Sequence, residues 1–254
     1  MPYITVAGER LFYALVEGDS TRKRNLILVH GAGGDHTHWP AELRRLPHFN
    51  VYGLDLPGHG RSKGEGRTRV DDYADTVDLF AEEMGLERAS LAGHSMGGAI
   101  AQVLALRQPA WLVGVVLVGA GSRLRVHPHI LEGLKTDFEA AIDTICQWQY
   151  GPTVSQQIRR KGRQQLLSVK PAVIQGDYAA CNAFDVMDRV KEIRLPTLII
   201  TGSADQMTPP KYGQYLHEKI RASELVDIKD GGHMVALEKP IEVAQGVARF
   251  LQVL

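Results

Sequence analysis

The sequence predicts an α/β protein, with a mostly parallel sheet of about eight strands, helices on both faces, and a helical cap. Three observations carry this. Short continuous apolar runs recur along the chain, as expected of strands buried on both faces. Segments with helical spacing alternate with them. Between residues 122 and 194 the alternation stops and no strand signal remains. Residues 1–121 and 195–254 are therefore assigned to the core, and 122–194 to a cap inserted in it.

Taken in order, residues 3–6 and 11–16 read as two strands around Gly8, a hairpin at a sheet edge. "NLILVH" (25–30) and "NVYGLDL" (50–56) are buried strands, the second followed by the turn-rich "PGHGRSKGEG". Tyr73, Val77, Phe80 and Met84 recur at helical steps. "RASLAG" (88–93) is a strand, and 96–107 is a helix of small residues. "GVVLVG" (114–119), "PTLIIT" (196–201) and "ELVDIKD" (224–230) complete the sheet, and Pro240 opens a closing helix through Phe250. Within the cap, amphipathic stretches fall near 128–148, 153–168 and 176–190.

Composition excludes several classes. The chain has 254 residues, 44% hydrophobic and 23% charged, within the range of ordinary globular domains. Its 29 basic residues balance 29 acidic ones, so no net field favours nucleic acid or an anionic membrane. Cys146 and Cys181 are too few for a disulfide framework and lack metal-ligand spacing; they read as small buried apolar residues. The first residues lack the basic start and apolar block of a signal peptide, and no stretch reaches the ~18 apolar residues of a membrane span. The expectation is a soluble, cytoplasmic protein without a membrane span.

The chemistry concentrates at Gly93-His94-Ser95-Met96-Gly97, a G-x-S-x-G match between a strand and a helix. In that context the glycines clear space at a turn too tight for side chains, and the serine hydroxyl stands above a helix N-terminus. A packing turn in which Ser95 merely caps the helix would also fit this stretch. Three further features weigh against that alternative. His30-Gly31-Ala32-Gly33-Gly34 ends a buried strand, so the Ala32 N–H, with that of Met96, can bracket an oxyanion. Asp205 follows a second strand in "LIITGSADQMTPP". His233 lies in "DGGHMVALEKP", between the last strand and the last helix.

Taken together, "HGAGG", "DLPGHGRS", "GHSMGG", "GSADQMTPP" and "GGHMVALEKP" resemble the α/β-hydrolase superfamily across essentially the whole chain. The order Ser95, Asp205, His233 is the chain order of that arrangement. The resemblance implies Ser95 as nucleophile, His233 as general base and Asp205 as the residue that orients it. The physics agrees, because a serine hydroxyl needs a base with a near-neutral pKa, and a carboxylate fixes its tautomer.

Other motifs carry less. His36 with His38, and His127 with His129, form H-x-H pairs without an evident third ligand, so no metal and no cofactor are predicted. "GAGSRL" (119–124) lacks the third glycine of a dinucleotide fingerprint, and "RRKGR" (159–163) reads as a solvated helix face. Trp148, Tyr150, Phe184 and Met234 are the candidate substrate contacts. The cap's apolar positions predict a pocket for neutral groups, with acyl carboxylates poor because their charge would be desolvated.

Within the superfamily, dehalogenases and epoxide hydrolases resemble this chain but carry aspartate where it has Ser95. Carbon–carbon hydrolases usually show tryptophan where it has Met234, and hydroxynitrile lyases threonine where it has Ala32. "GHSMGG" also resembles monoglyceride lipases and small bacterial carboxylesterases. The expected activity is cofactor-free hydrolysis of small neutral carboxylic esters through an acyl-enzyme, with a small-molecule ester as partner. A carbon–carbon or thioester hydrolase, and a non-catalytic ligand receptor of the same fold, remain open. The sequence assigns no oligomeric state.

Overall fold

The computed structural model describes residues 2–19 and 24–254. Eight strands form one sheet: β1 (Tyr3–Val6), β2 (Glu9–Val16), β3 (Asn25–Val29), β4 (Asn50–Leu54), β5 (Ala89–His94), β6 (Leu112–Val118), β7 (Thr197–Gly202) and β8 (Ser223–Ile228). Their order is β1-β2-β4-β3-β5-β6-β7-β8. The first two strands run antiparallel at one edge, and every pairing from β4 to β8 is parallel. Ala7 and Gly8, both with positive φ, make the two-residue turn between β1 and β2, so pairing begins at Glu9, two residues before the predicted start.

Among the described residues ten α-helices cover the sheet and its carboxyl edge: α1 (Ala41–Arg44), α2 (Val70–Glu83), α3 (Met96–Arg107), α4 (Pro128–Thr136), α5 (Phe138–Trp148), α6 (Gln156–Ser168), α7 (Pro171–Ala183), α8 (Pro210–Lys219), α9 (Val235–Glu238) and α10 (Pro240–Gln252). Alternation along β3 sorts the core into two layers. Ile27 and Val29 join Phe80 of α2, Ile100 of α3 and Leu216 of α8; Leu26 and Leu28 join Leu43 of α1 and Val243 of α10. Each of these side chains is fully buried, and burial of a side chain this size contributes about 1.5–3 kcal/mol.

Between β6 and β7 the chain runs through α4 to α7, where Ile130, Leu134, Ile142, Ile145, Leu166 and Ile174 make a third apolar cluster. Ala32 and Met207, from the carboxyl edge of the sheet, pack against it. Two helix expectations are corrected here. The stretch 128–148 is two helices, parted at Asp137, whose backbone leaves the helical region and whose carboxylate caps the Ala140 N–H. The stretch 176–190 is displaced, because Pro171 at the first helical turn starts α7 early and Phe184 ends it in extended backbone. Beyond α7, Phe184, Val190 and Ile193 are buried in the sheet's own core, so the end of the cap interval is woven into the body beneath it.

Candidate active site

Ser95 joins β5 to α3 with φ 54° and ψ −113°, a region that costs an L-residue about 1–3 kcal/mol. The flanking glycines are steric requirements. A Cβ at Gly93 would run into the Gly97 carbonyl, and one at Gly97 into the Val29 carbonyl. The Ser95 side chain makes no capping bond to α3, which separates this turn from the packing alternative. Its backbone N–H donates to the Val118 carbonyl at 2.9 Å, so the neighbouring strand holds the turn.

His233 lies in the loop between β8 and α9, and its Nδ1 is 2.9 Å from Asp205 Oδ2. The pairing assigns the proton to Nδ1 and leaves the Nε2 lone pair free. Asp205 follows β7, and its Oδ1 accepts from the N–H groups of Met207 (2.8 Å) and Thr208 (2.9 Å). Burial alone would raise the Asp205 pKa, but the facing His233 and these donors outweigh it and hold the carboxyl below its usual value. The Thr208 hydroxyl stands within 3.1 Å of His233 Nδ1, 2.7 Å of Asp205 Oδ2 and 2.9 Å of the Gly119 carbonyl. Glu238 accepts from the N–H groups of Gly232 and Gly151, fastening the histidine loop to the cap.

His94, inside the serine motif, donates from Nε2 to the His233 carbonyl at 2.9 Å. Burial, with His233 beside it, pushes its pKa down to about 3, so it is a neutral prop for the His233 backbone. The motif displays His94 but not this partner, which is 139 residues away.

In the loop after β3, the Gly33 N–H donates to Asp177 Oδ2 and the Gly34 N–H to the Gly31 carbonyl. Among the described residues, the N–H groups of Ala32 and Met96 have no acceptor. Ala32 lies on the loop that lines the cavity described next, and Met96 opens α3 beside Ser95.

A cavity of about 700 Å³ opens over this edge, bounded by Ser95, Ala32 and His233. Leu124, Val126, Ile130, Trp148, Tyr178, Met207 and Met234 form its apolar wall. The structure thus brings Ser95, His233, Ala32, Trp148 and Met234 to one space, with Asp205 behind His233. It does not bring Tyr150 or Phe184 there. Tyr150 turns back under α6, its hydroxyl against Gly162 and its ring 5.6 Å from the Arg159 guanidinium. Phe184 packs into the sheet's core, where α7 ends.

The charge pattern also departs from expectation. Arg125 and Lys211 line the cavity, and no Asp or Glu among the described residues does. Arg123 and Arg125 share one carboxylate, Asp185, at 3.8 and 3.7 Å, leaving a net positive charge on that wall.

Of the H-x-H pairs, His36 meets Asp35 and Asp55. Asp55 Oδ1 already accepts from the His36 N–H and ring Nδ1, and Oδ2 from the Arg61 N–H, so this set reads as a hydrogen-bonded brace. His38 instead pairs with Gln165 of α6, and His127 Nδ1 caps α4 at the His129 N–H.

Comparison with known proteins gives the family. Residues 26–246 match the family model described as alpha/beta hydrolase family. A putative carbamate hydrolase RutD from Rhizobium rhizogenes is 30% identical over 253 residues, covering 92% of this chain and 95% of the relative. A pimeloyl-[acyl-carrier protein] methyl ester esterase from Sodalis glossinidius is 27% identical over 248 residues, covering 91% and 95%. The solved structure of a thermophilic esterase is 36% identical, with a TM-score of 0.86, and the match covers 98% of this chain and 96% of that one.

Proposed function

The chain belongs to the alpha/beta hydrolase family and is an esterase-type hydrolase; from that premise we propose that it cleaves small carboxylic esters through an acyl-enzyme on Ser95. In this reading His233 Nε2 takes the Ser95 proton as Oγ attacks the ester carbonyl. The negative charge that develops on the carbonyl oxygen is met by the N–H groups of Ala32 and Met96. Collapse expels the alcohol, protonated by His233, and leaves the acyl group on Oγ. A water deprotonated by His233 then releases the acid. Asp205 holds the ring and stabilises the imidazolium.

The observation that carries this reading is the pairing of His233 Nδ1 with Asp205, with His233 and an uncapped Ser95 lining one cavity. The relatives' names, a methyl ester esterase and a carbamate hydrolase, support acyl transfer to water. The apolar wall supports uncharged chains next to the scissile bond. For neutral p-nitrophenyl esters, kcat/KM is expected to rise from acetate to butyrate or hexanoate, then fall once the cavity is full, at about 0.8 kcal/mol per buried methylene. Labelling by a fluorophosphonate together with this series tests the reading. A chain that neither labels nor turns over any ester is a binding protein on a hydrolase fold.

One observation favours a refinement. With Arg125 and Lys211 on its walls and no lining carboxylate, the cavity suits an ester carrying an anion at the end remote from the scissile bond. A monomethyl dicarboxylate assayed against its dimethyl ester separates this from the strictly neutral reading.

A further inference from the structure

Asp177 is a carboxylate of the cap buried at the foot of the oxyanion loop. It lies on α7, and none of its surface is open to solvent. Its Oδ2 accepts from the Gly33 N–H at 2.8 Å and from His59 Nε2 at 2.7 Å, and its Oδ1 from the Tyr73 hydroxyl at 2.6 Å. Gly33 is the residue after Ala32. The cap presses on the same loop from above, since a Cβ on Gly33 would lie 2.7 Å from Leu166 Cδ2 and 3.3 Å from Ile174 Cδ1.

The protonation of this cluster follows from its geometry. His59 Nδ1 is 3.0 Å from the Pro57 carbonyl, which can only accept, and Nε2 faces a carboxylate. Both ring nitrogens thus face acceptors, the arrangement that suits a doubly protonated ring opposite a carboxylate. Burial alone would lower its pKa, but the Asp177 charge and hydrogen bond outweigh it and the net direction is upward. The result is a buried ion pair that ties α7, the loop after β4 and the Gly33 N–H together. Replacing one partner of such a pair strands the other charge out of water.

We propose that Asp177 is a positioning residue: by holding the Gly33 N–H it directs the adjacent Ala32 N–H into the cavity, so that the oxyanion site is complete only when α7 is seated. The consequence reaches the cavity wall as well, because Tyr178, the next residue on α7, lines it. Seating the cap helix thus builds the wall and aims the donor in one event. The proposal rests on the esterase reading, with Ser95 as nucleophile.

The test compares changes at the two oxygens of one carboxylate. Asp177→Asn sets an amide against donors at Gly33 and His59, whereas Tyr73→Phe removes only the bond to Oδ1. With a p-nitrophenyl ester, Asp177→Asn is expected to lower kcat roughly 10- to 100-fold with KM changed less than about threefold. Affinity for a trifluoromethyl ketone, which places an oxyanion in the same site, should fall by the same factor. Tyr73→Phe should lower Tm while keeping kcat within about threefold. If Asp177→Asn does not fold, glycolic acid introduced at position 33 by nonsense suppression deletes that N–H alone and should give the same kcat loss. Equal kcat losses in Asp177→Asn and Tyr73→Phe, or a folded Asp177→Asn or position-33 ester with wild-type kcat and ketone affinity, overturn the proposal. The ¹⁵N signals of His59 read the tether without activity, with both nitrogens protonated in the wild type and only one in Asp177→Asn. A neutral His59 in the wild type also overturns it, whereas absent ester turnover with an intact His59 signature defeats the esterase reading instead.

Discussion

His233 Nδ1 is 2.9 Å from Asp205 Oδ2, and His59 Nε2 is 2.7 Å from Asp177 Oδ2; all four side chains are at most 4% exposed. The two pairs differ in what the second ring nitrogen meets. In His59 it faces the Pro57 carbonyl, so neither nitrogen is free to take a proton. In His233 it has no partner among the described residues, and the ring lines the cavity with Ser95. A buried histidine–carboxylate pair is thus a general base only where one lone pair is left open; otherwise it is a fixed charge that ties elements together.

The contrast breaks most sharply at Ser95 and His233. Because nucleophile and base act as one unit, Ser95→Ala and His233→Ala are each expected to lower kcat roughly 10⁴- to 10⁶-fold, and the double variant little further. Ester turnover with thermal melting as the folding control checks this. A folded Ser95→Ala that keeps even a few per cent of activity refutes the assignment. The His59 pair should behave differently, its replacement costing stability and donor placement, because it touches no reacting atom.

The next effect in size belongs to the donors. Ala32→Pro deletes an N–H without an acceptor, and its expected cost is about 10²–10³ in kcat, as for loss of one oxyanion donor. A wild-type kcat in a folded Ala32→Pro protein would assign the donor elsewhere, and the distinction between a free N–H at Ala32 and a tethered one at Gly33 would fail.

The two pairs were unequally legible. Ser95, Asp205 and His233 each sit in a short local pattern, a strand end followed by glycine or turn residues, and local pattern is what a sequence displays. The sheet was legible for the same reason, since β3, β5 and β7 are continuous apolar runs. Asp177 is separated by 104 residues from Tyr73 and by 118 from His59, and sits in a helix with no motif. Tyr150 and Phe184 lie outside the cavity, and sequence could not show this, because an aromatic residue in a cap displays its type but not the direction in which its helix end turns it. The break at Asp137 had a readable signal, an Asp at an N-cap position in the middle of an amphipathic stretch.

Protonation sharpens the comparison further. His94, which props the His233 backbone, has a folded pKa of about 3 against an ordinary 6.5, so it must charge in the unfolded chain before it can in the folded one. Its contribution to stability is full above 6.5 and is lost as pH falls toward 3, by up to about 1.4 kcal/mol per pH unit per proton. His59 has the opposite sign, since its folded pKa is raised and its contribution is lost as pH rises through that value. The groups facing it are Asp177, Asp55 and Tyr73, with His30 opposing. Urea unfolding across pH should show His94→Gln flattening the acid limb and Asp177→Asn flattening the alkaline one. A variant that shifts both limbs equally would show that neither histidine is the linked group.

The smallest expected effect compares two aromatic residues of the cap interval. Trp148 ends α5 and lines the cavity, whereas Phe184 ends α7 and is buried in the sheet's core. Trp148→Ala enlarges the cavity near the substrate, so the optimum acyl length should move to longer chains, with kcat/KM for short esters falling several-fold, about what two or three methylenes of lost contact imply. Its effect on Tm should be modest, because the side chain is only half-buried. Phe184→Ala removes a core side chain and should cost about 3–5 kcal/mol of stability, with the acyl-length optimum unchanged. A pocket wall and a core filler, 36 positions apart, are thereby separated by two readouts that move in opposite order. If Phe184→Ala shifts the acyl-length optimum while Trp148→Ala does not, the wall lies on the α7 end of the cap, and the division between the two aromatic residues is reversed.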